Sequence, residues 1–591
     1  VQRLTIAIII VVPFFVSITL ISLGSHLGLF IAQAQPLDVT GLLANLTDEN
    51  HNWKPSKSTN VAQTNGNLTI SIITNKTQTI SNRAVLQTQL NTSTIANPVL
   101  TLDYASKNFL DQQNRNPTFK IQIRTDNGSK ILWGAPLNDT SGKLRNEAFT
   151  LPSDVLNKPI EFRLYIITEG GPSHSMLTVK NFYANGGPII KDPNIKVEAL
   201  FKGLKFPTSM AFLGPNDLLV LEKNNGTVKR ILNGTLQPKP VLDVNVATGG
   251  GRGMLGIAVA KHENGGPRYV FLYFIELSGK KDVDAQTGGK ARLYRYELVN
   301  DKLIHPKLLL DVSGSRGVGN KANEFHNGGK ILVGPDQNVY LVVGELSGRD
   351  TLAQNVEFGD RPDGSSGILR VNQDGDPVKG GSILGDTPAL DKYYAYGIRN
   401  SFGMDFDPVT GRLWDTENGP NFGDEINLVE PGFNSGSRSV EGIWKPNPLN
   451  ESIAGDVAPL KPEGLVDFKG KGTYSPPEFT WYHTVAPTAL KFMNSNKLGK
   501  QYENDMFVGD VKDGNLYHFD LNKQRNKLNL SGPLRDKVAD TKYELQKVFF
   551  GHGFEDITDI EVGPDGCIYI LSFKMGAIFK IDKSRNMKGG E

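Results

Sequence analysis

Tyr393–Asn434 reads YYAYGIRNSFGMDFDPVTGRLWDTENGPNFGDEINLVEPGFN, and two short apolar runs within it decide the fold. Ser401–Phe406 and Gly411–Thr416 flank a turn built on Asp407-Pro408. They predict two antiparallel strands, because proline presets φ at a turn and glycine ends one cheaply. Arg399-Asn400 leads into the first strand and Glu417-Asn418-Gly419-Pro420 leaves the second, so a guanidinium, a side-chain amide and several carbonyls converge at one end of the sheet. That set suits an anionic planar ligand held with a hard cation such as Ca2+. It equally describes a plain hairpin with a solvated arginine.

The same pattern of strand, turn and strand recurs along the chain. It spans Met210–Leu221 around Gly214-Pro215-Asn216-Asp217, Lys330–Val343 around Gly334-Pro335-Asp336, and Ile560–Leu571 around Gly563-Pro564-Asp565-Gly566. Met254–Tyr296 and Thr488–Phe519 repeat the strands without the full turn. No unit can bury a face alone, so radial stacking into a β-propeller of about six blades is expected; the spacing of the repeats argues against a sandwich pair. His326-Asn327-Gly328-Gly329, Arg399-Asn400, Thr484-Val485-Ala486-Pro487 and Asp556–Thr558 each precede a unit, which predicts that they face one cavity.

Tyr396-Gly397-Ile398-Arg399-Asn400, Glu417-Asn418-Gly419-Pro420 and Gly423-Asp424-Glu425-Ile426-Asn427, in that order, resemble the signature of the glucose/sorbosone dehydrogenase family, the soluble quinoproteins that use pyrroloquinoline quinone (PQQ) with Ca2+. The likeness runs from about Phe206 to Ile581. It implies that His326 is the general base for the anomeric hydroxyl of a sugar, that Arg399 stabilises charge on the reduced quinone, and that Asn400, Asn418, Thr484 and Lys512 join Arg399 in holding the cofactor. It further implies that the carbonyls of Gly419 and Pro420 bind the cofactor's Ca2+ and that Glu425 serves a structural Ca2+. The expected activity is oxidation of an aldose to its lactone, with electrons passed to an external acceptor.

Three departures accompany the resemblance. Asp556-Ile557-Thr558-Asp559 stands where the family has an Arg-x-Arg-Asp run, which replaces a counter-ion for a cofactor carboxylate by a like charge. At about 4 Å and an effective dielectric near 20 a unit pair is worth about 4 kcal/mol. Gly251 occupies the place of a Gln near the substrate, and Phe325 that of an acid before the histidine. Arg252, Arg349, Lys321 and Lys574 are the cations available to compensate.

At 591 residues the chain is long enough for about two to four domains. Its 64 basic and 62 acidic residues nearly cancel and form no basic stripe, which argues against a nucleic-acid partner. With 63 Gly and 33 Pro the composition favours an all-β protein. The single Cys567 excludes an intrachain disulfide framework. Residues 1–34 hold an apolar run, Leu4–Leu23, followed by Ala32-Gln33-Ala34, and read as either a cleaved export signal or a retained membrane anchor. Ten sequons, at Asn45, Asn67, Asn75, Asn91, Asn127, Asn138, Asn225, Asn233, Asn450 and Asn529, fit a glycosylated, extracytoplasmic protein.

Between residues 37 and 187 the apolar residues alternate with polar β-branched ones in short runs, which predicts a two-sheet β-sandwich. Trp53, Trp133, Tyr104 and Tyr165 are its candidates for contact with carbohydrate. Gly186-Gly187-Pro188 reads as a linker into a propeller over residues 190–583. Two other functions suit the same architecture. One is a non-catalytic propeller that binds glycan or protein. The other is a Ca2+-dependent lactonase, for which Glu417, Asp424 and Glu425 are the available inward carboxylates.

Overall fold

The computed structural model describes residues 42–584 apart from 48–50, 57–58, 65–66, 75–79, 91–98, 109–116, 127, 137–143, 152–154, 156–157, 169–172, 186, 261–267, 280–281, 284–288, 313–324, 347–349, 444–463 and 542–543. The apolar run at Leu4–Leu23 therefore lies outside the described residues. Among the described residues no helix is long and apolar enough to cross a membrane. Secondary structure is almost wholly strand.

Strands between Leu42 and Asn185 form two antiparallel sheets that share one core. Alternation sets which residues enter it: along Thr118–Thr125, Phe119, Ile121 and Ile123 point inward. Trp53 and Tyr104 are 4% and 1% exposed within this core, Trp53 stacking on Phe182 and donating its indole N–H to the Leu46 carbonyl. This corrects their reading as sugar platforms: Tyr104 falls on the inward parity of its strand, Val99–Asn108, and Trp53 is anchored in the core by Phe182 and the Leu46 carbonyl. Tyr165 sits on the outer face, hydrogen-bonded to Gln122, and the Trp133 side chain lies outside the described residues.

After Gly187 and Pro188, which are buried, Ile189–Ile190 pairs with Phe549–His552, and the chain then builds successive sheets whose first strands are Pro207–Gly214, Met254–Val259, Ile331–Val333, Ser401–Phe406, Pro487–Phe492 and Ile557–Val562. Second strands such as Val339–Val343, Leu413–Glu417, Met506–Asp510 and Ile568–Ser572 are buried at every position, since each is covered on both faces. Neighbouring sheets share apolar clusters all the way round. Last and first are joined by Tyr569, Leu571 and Ile578 packing with Met210, Leu218 and Val220. Ile195–Lys202 pairs with Ala577–Lys583, so the early part of this region completes its final sheet.

The Gly-Pro-Asp turns have one internal logic. Asp336 accepts from the Asn338 N–H and the Tyr340 hydroxyl, and Asp565 accepts in the same way from Cys567 and Tyr569. The result is an all-β, propeller-like ring.

Candidate active site

In an antiparallel sheet the chain enters the first strand and leaves the second at the same end. Loops of both kinds therefore gather at one rim of the ring. A cavity of about 300 Å³ opens there, with Gly251, Lys330, Phe402, Asn418, Thr488, Asp556 and Thr558 in its wall.

His326 has φ +59°, and its Nδ1 lies 2.6 Å from Glu345 Oε1. Glu345 follows the second strand of the same sheet, and its N–H donates to the Arg399 carbonyl at 2.9 Å. The preceding Gly344 permits this: a Cβ there would lie 2.3 Å from the His326 oxygen and 2.9 Å from the Arg399 oxygen. Burial pushes the Glu345 carboxyl up, but the His326 hydrogen bond and the charges of His326, Arg399 and Arg438 outweigh it and leave it below its ordinary value. A carboxylate so held fixes the imidazole's orientation and its tautomer.

Arg399 directs one guanidinium nitrogen, Nη1, at the carbonyls of Asn418 (2.8 Å) and Gly419 (3.0 Å). Two carbonyl oxygens within reach of one cationic nitrogen form a convergent donor pair of the kind a hard cation takes. Pro420 follows, half-buried. Asn400 Oδ1 accepts from the Gly328 N–H at 3.3 Å, and its amide donates to Asn418 Oδ1 at 3.4 Å. Asn418 in turn donates to the Pro487 carbonyl at 2.9 Å. Asp424 ties the Gly419 turn to the next sheet's entry loop by accepting from Gly419, Val485 and Ala486 N–H groups. Beside that loop, exposed Lys512 donates through Nζ to the Thr484 carbonyl at 3.0 Å. His326, Arg399, Asn400, Asn418, Gly419, Thr484 and Lys512 are thus joined by one continuous set of contacts at one rim.

The departures have structural counterparts. Asp556 is 2.8 Å from Lys574 Nζ, so the negative charge in the cavity wall carries its own counter-ion. Arg252 is wholly buried and donates to the Thr248 carbonyl of its own glycine loop, while Arg349 and Lys321 lie outside the described residues. Phe325 is 53% exposed.

Carboxylates crowd behind the Arg399 turn. Glu417 and Glu425 are directly opposed across their strands, nearly inaccessible, and share the Ser435 hydroxyl. Burial pushes Glu425 up to about 7, and burial with the charges of Glu425 and Glu441 raises Glu417 well above its ordinary value. Such a pair calls for a shared proton or a cation. Among the described residues no group of three or more His, Cys, Asp or Glu has metal-holding geometry.

Two features escaped the sequence reading. One is Glu345, remote in sequence from the position before His326. The other lies on the ring axis: Lys330 Nζ contacts Asp559 (2.6 Å) and Glu561 (3.0 Å), and Lys491 contacts Glu561 (2.9 Å) and Asp405 (3.4 Å). These come from four first strands and their entries. The polar pair Asp559 and Glu561 within an apolar strand was the available signal.

The sequence profile of the Glucose / Sorbosone dehydrogenase family matches residues 204–580. The chain belongs to the glucose/sorbosone dehydrogenase family. Its relatives include quinoprotein glucose dehydrogenase B of Acinetobacter calcoaceticus, 28% identical over 458 residues, which cover 67% of this chain and 88% of that protein. The aldose sugar dehydrogenase YliI of Escherichia coli is 24% identical over 384 residues, covering 64% and 90%. In fold, this family member resembles the crystal structure of the soluble aldose sugar dehydrogenase of Escherichia coli in its apo form. The TM-score is 0.50 at 23% identity, over 66% of this chain and all of that one. The family match accounts for the ring and leaves the two N-terminal sheets outside it.

Proposed function

We propose that this protein is an extracytoplasmic, PQQ- and Ca2+-dependent aldose dehydrogenase that oxidises the anomeric carbon of a sugar to a lactone, built on a six-bladed propeller with an N-terminal sandwich. The observation that carries this reading is the His326–Glu345 pair tied to Arg399, whose guanidinium binds the carbonyl of the cavity-wall residue Asn418. Glu345 holds Nδ1, leaving Nε2 to take the proton of the anomeric hydroxyl. PQQ, when bound, supplies the acceptor for the hydride. Arg399, Asn400, Asn418, Thr484 and Lys512 hold it, the Gly419 and Pro420 carbonyls suit its Ca2+, and Glu425 suits a structural one. The Asn418 and Gly419 carbonyls both accept from the Arg399 guanidinium, so this turn presents its oxygens to positive charge. Reconstitution with Ca2+ and PQQ gives an enzyme that reduces an artificial acceptor with aldoses; failure to bind the quinone at micromolar PQQ refutes the proposal.

A further inference from the structure

We propose that Lys574, held in place by Asp556, is the cation that meets a carboxylate of the bound cofactor, in place of the arginine missing from the entry to the last sheet. This rests on the PQQ reading above. Asp556 lines the cavity, and the Lys574 ammonium lies 2.8 Å from its Oδ1 while 62% of the Lys574 side chain stays exposed. Lysine carries three N–H donors, and Asp556 takes one. The others are available to an anion beside the wall residues Asp556 and Phe573.

Topology lets a cation reach the same rim from a different loop. Asp556 precedes the first strand of its sheet, and Lys574 lies in the turn after the second. These two loops open at the same end, so a cation lost from one is recoverable from the other. The Phe573 N–H donates to the Asp556 carbonyl at 2.8 Å, which pins the lysine-bearing turn to the entry loop. Phe573 itself lines the cavity and packs against Phe206 with ring centroids 5.2 Å apart. Lys512 occupies the corresponding turn of the preceding sheet, after Met506–Asp510. Ammonium groups on equivalent turns of adjacent sheets suit a ligand with several carboxylates.

Lys574 could otherwise serve only to neutralise Asp556, and a double-mutant cycle separates the two roles. Titration calorimetry with PQQ in calcium buffer is run on the full chain and on Lys574→Ala, Lys574→Arg, Asp556→Asn and the Asp556→Asn/Lys574→Ala double variant. Melting temperatures confirm folding. The expected results are about 30-fold or greater weakening for Lys574→Ala, retention within about 3-fold for Lys574→Arg, and a double variant still about 10-fold weaker than the parent. A double variant that binds like the parent, or an unaffected Lys574→Ala, overturns the proposal and leaves the PQQ reading standing. A parent chain that binds no PQQ defeats both.

Discussion

Replacing Lys330 by methionine tests the axial charge network directly. The ammonium is buried, with Asp559 at 2.6 Å and Glu561 at 3.0 Å. At an effective dielectric near 20 each contact is worth about 6 kcal/mol of gross attraction, largely offset by stripping water from the ions. Removing one partner of such a group leaves uncompensated charge, which costs about 3–5 kcal/mol. The loss concentrates on Asp559, because Glu561 keeps Lys491 at 2.9 Å. Asp559 retains only neutral donors, the Ser209 hydroxyl and the Met210 and Ile560 N–H groups. Burial already raises the Asp559 carboxyl against the pull of Lys330, so without the lysine it takes up a proton more readily. A carboxyl that binds protons better folded than unfolded favours folding as pH falls. Lys330→Met should therefore lose about 3–5 kcal/mol at pH 7 and less at pH 5, and Lys330→Met/Asp559→Asn should recover at least half of the loss. Chemical denaturation followed through the wholly buried Trp414 and Trp481 measures this. A loss under about 1 kcal/mol at pH 7, the level of an exposed pair, would refute the reasoning.

Glu345→Gln removes the charged partner of His326 Nδ1; losing about 1.5–3 kcal/mol of hydrogen bonding should lower kcat about 10- to 100-fold with KM nearly unchanged, and Glu345→Asp should recover part of it, as steady-state kinetics of the reconstituted enzyme would show. Burial first, and then the Lys191 charge, depress His552 to about 4, against the pull of Asp513. Its neutral form is the folded one, so stability falls as pH drops from about 6.5 to about 4, by roughly 3 kcal/mol, and His552→Gln should flatten that limb of the melting curve against pH. Gly256→Ala places a Cβ 1.8 Å from the Gly329 carbonyl oxygen, where the first strand Met254–Val259 meets the entry to the next, Ile331–Val333. Overpacking against backbone predicts a loss of about 3 kcal/mol, read as a lowered denaturation midpoint.

The ring was legible because its units repeat their own turn chemistry: an aspartate that caps a turn and a tyrosine that reaches back to it recur at Asp336–Tyr340 and Asp565–Tyr569. Equal positions in a repeat share an end of the sheet, which is why the entry loops fall at one rim; of the four entry stretches, the cavity wall takes Ala486, Asp556 and Thr558. What the sequence withheld concerns the partner across a face. Trp53 and Tyr104 look alike whether their face meets solvent or another sheet. Glu345 meets His326 only because the loops before a first strand and after a second strand come together in space. Arg252 and Lys574 were equivalent candidates as letters, and the structure separates them: one turns its guanidinium into its own loop, the other sets its ammonium on Asp556. Asp559 and Glu561 show the point most sharply. Alternating polar residues in an apolar strand ordinarily mean a wet face. On the first strand of a closed ring the same alternation points at the axis, where the chain supplies Lys330 and Lys491 from other sheets in place of water.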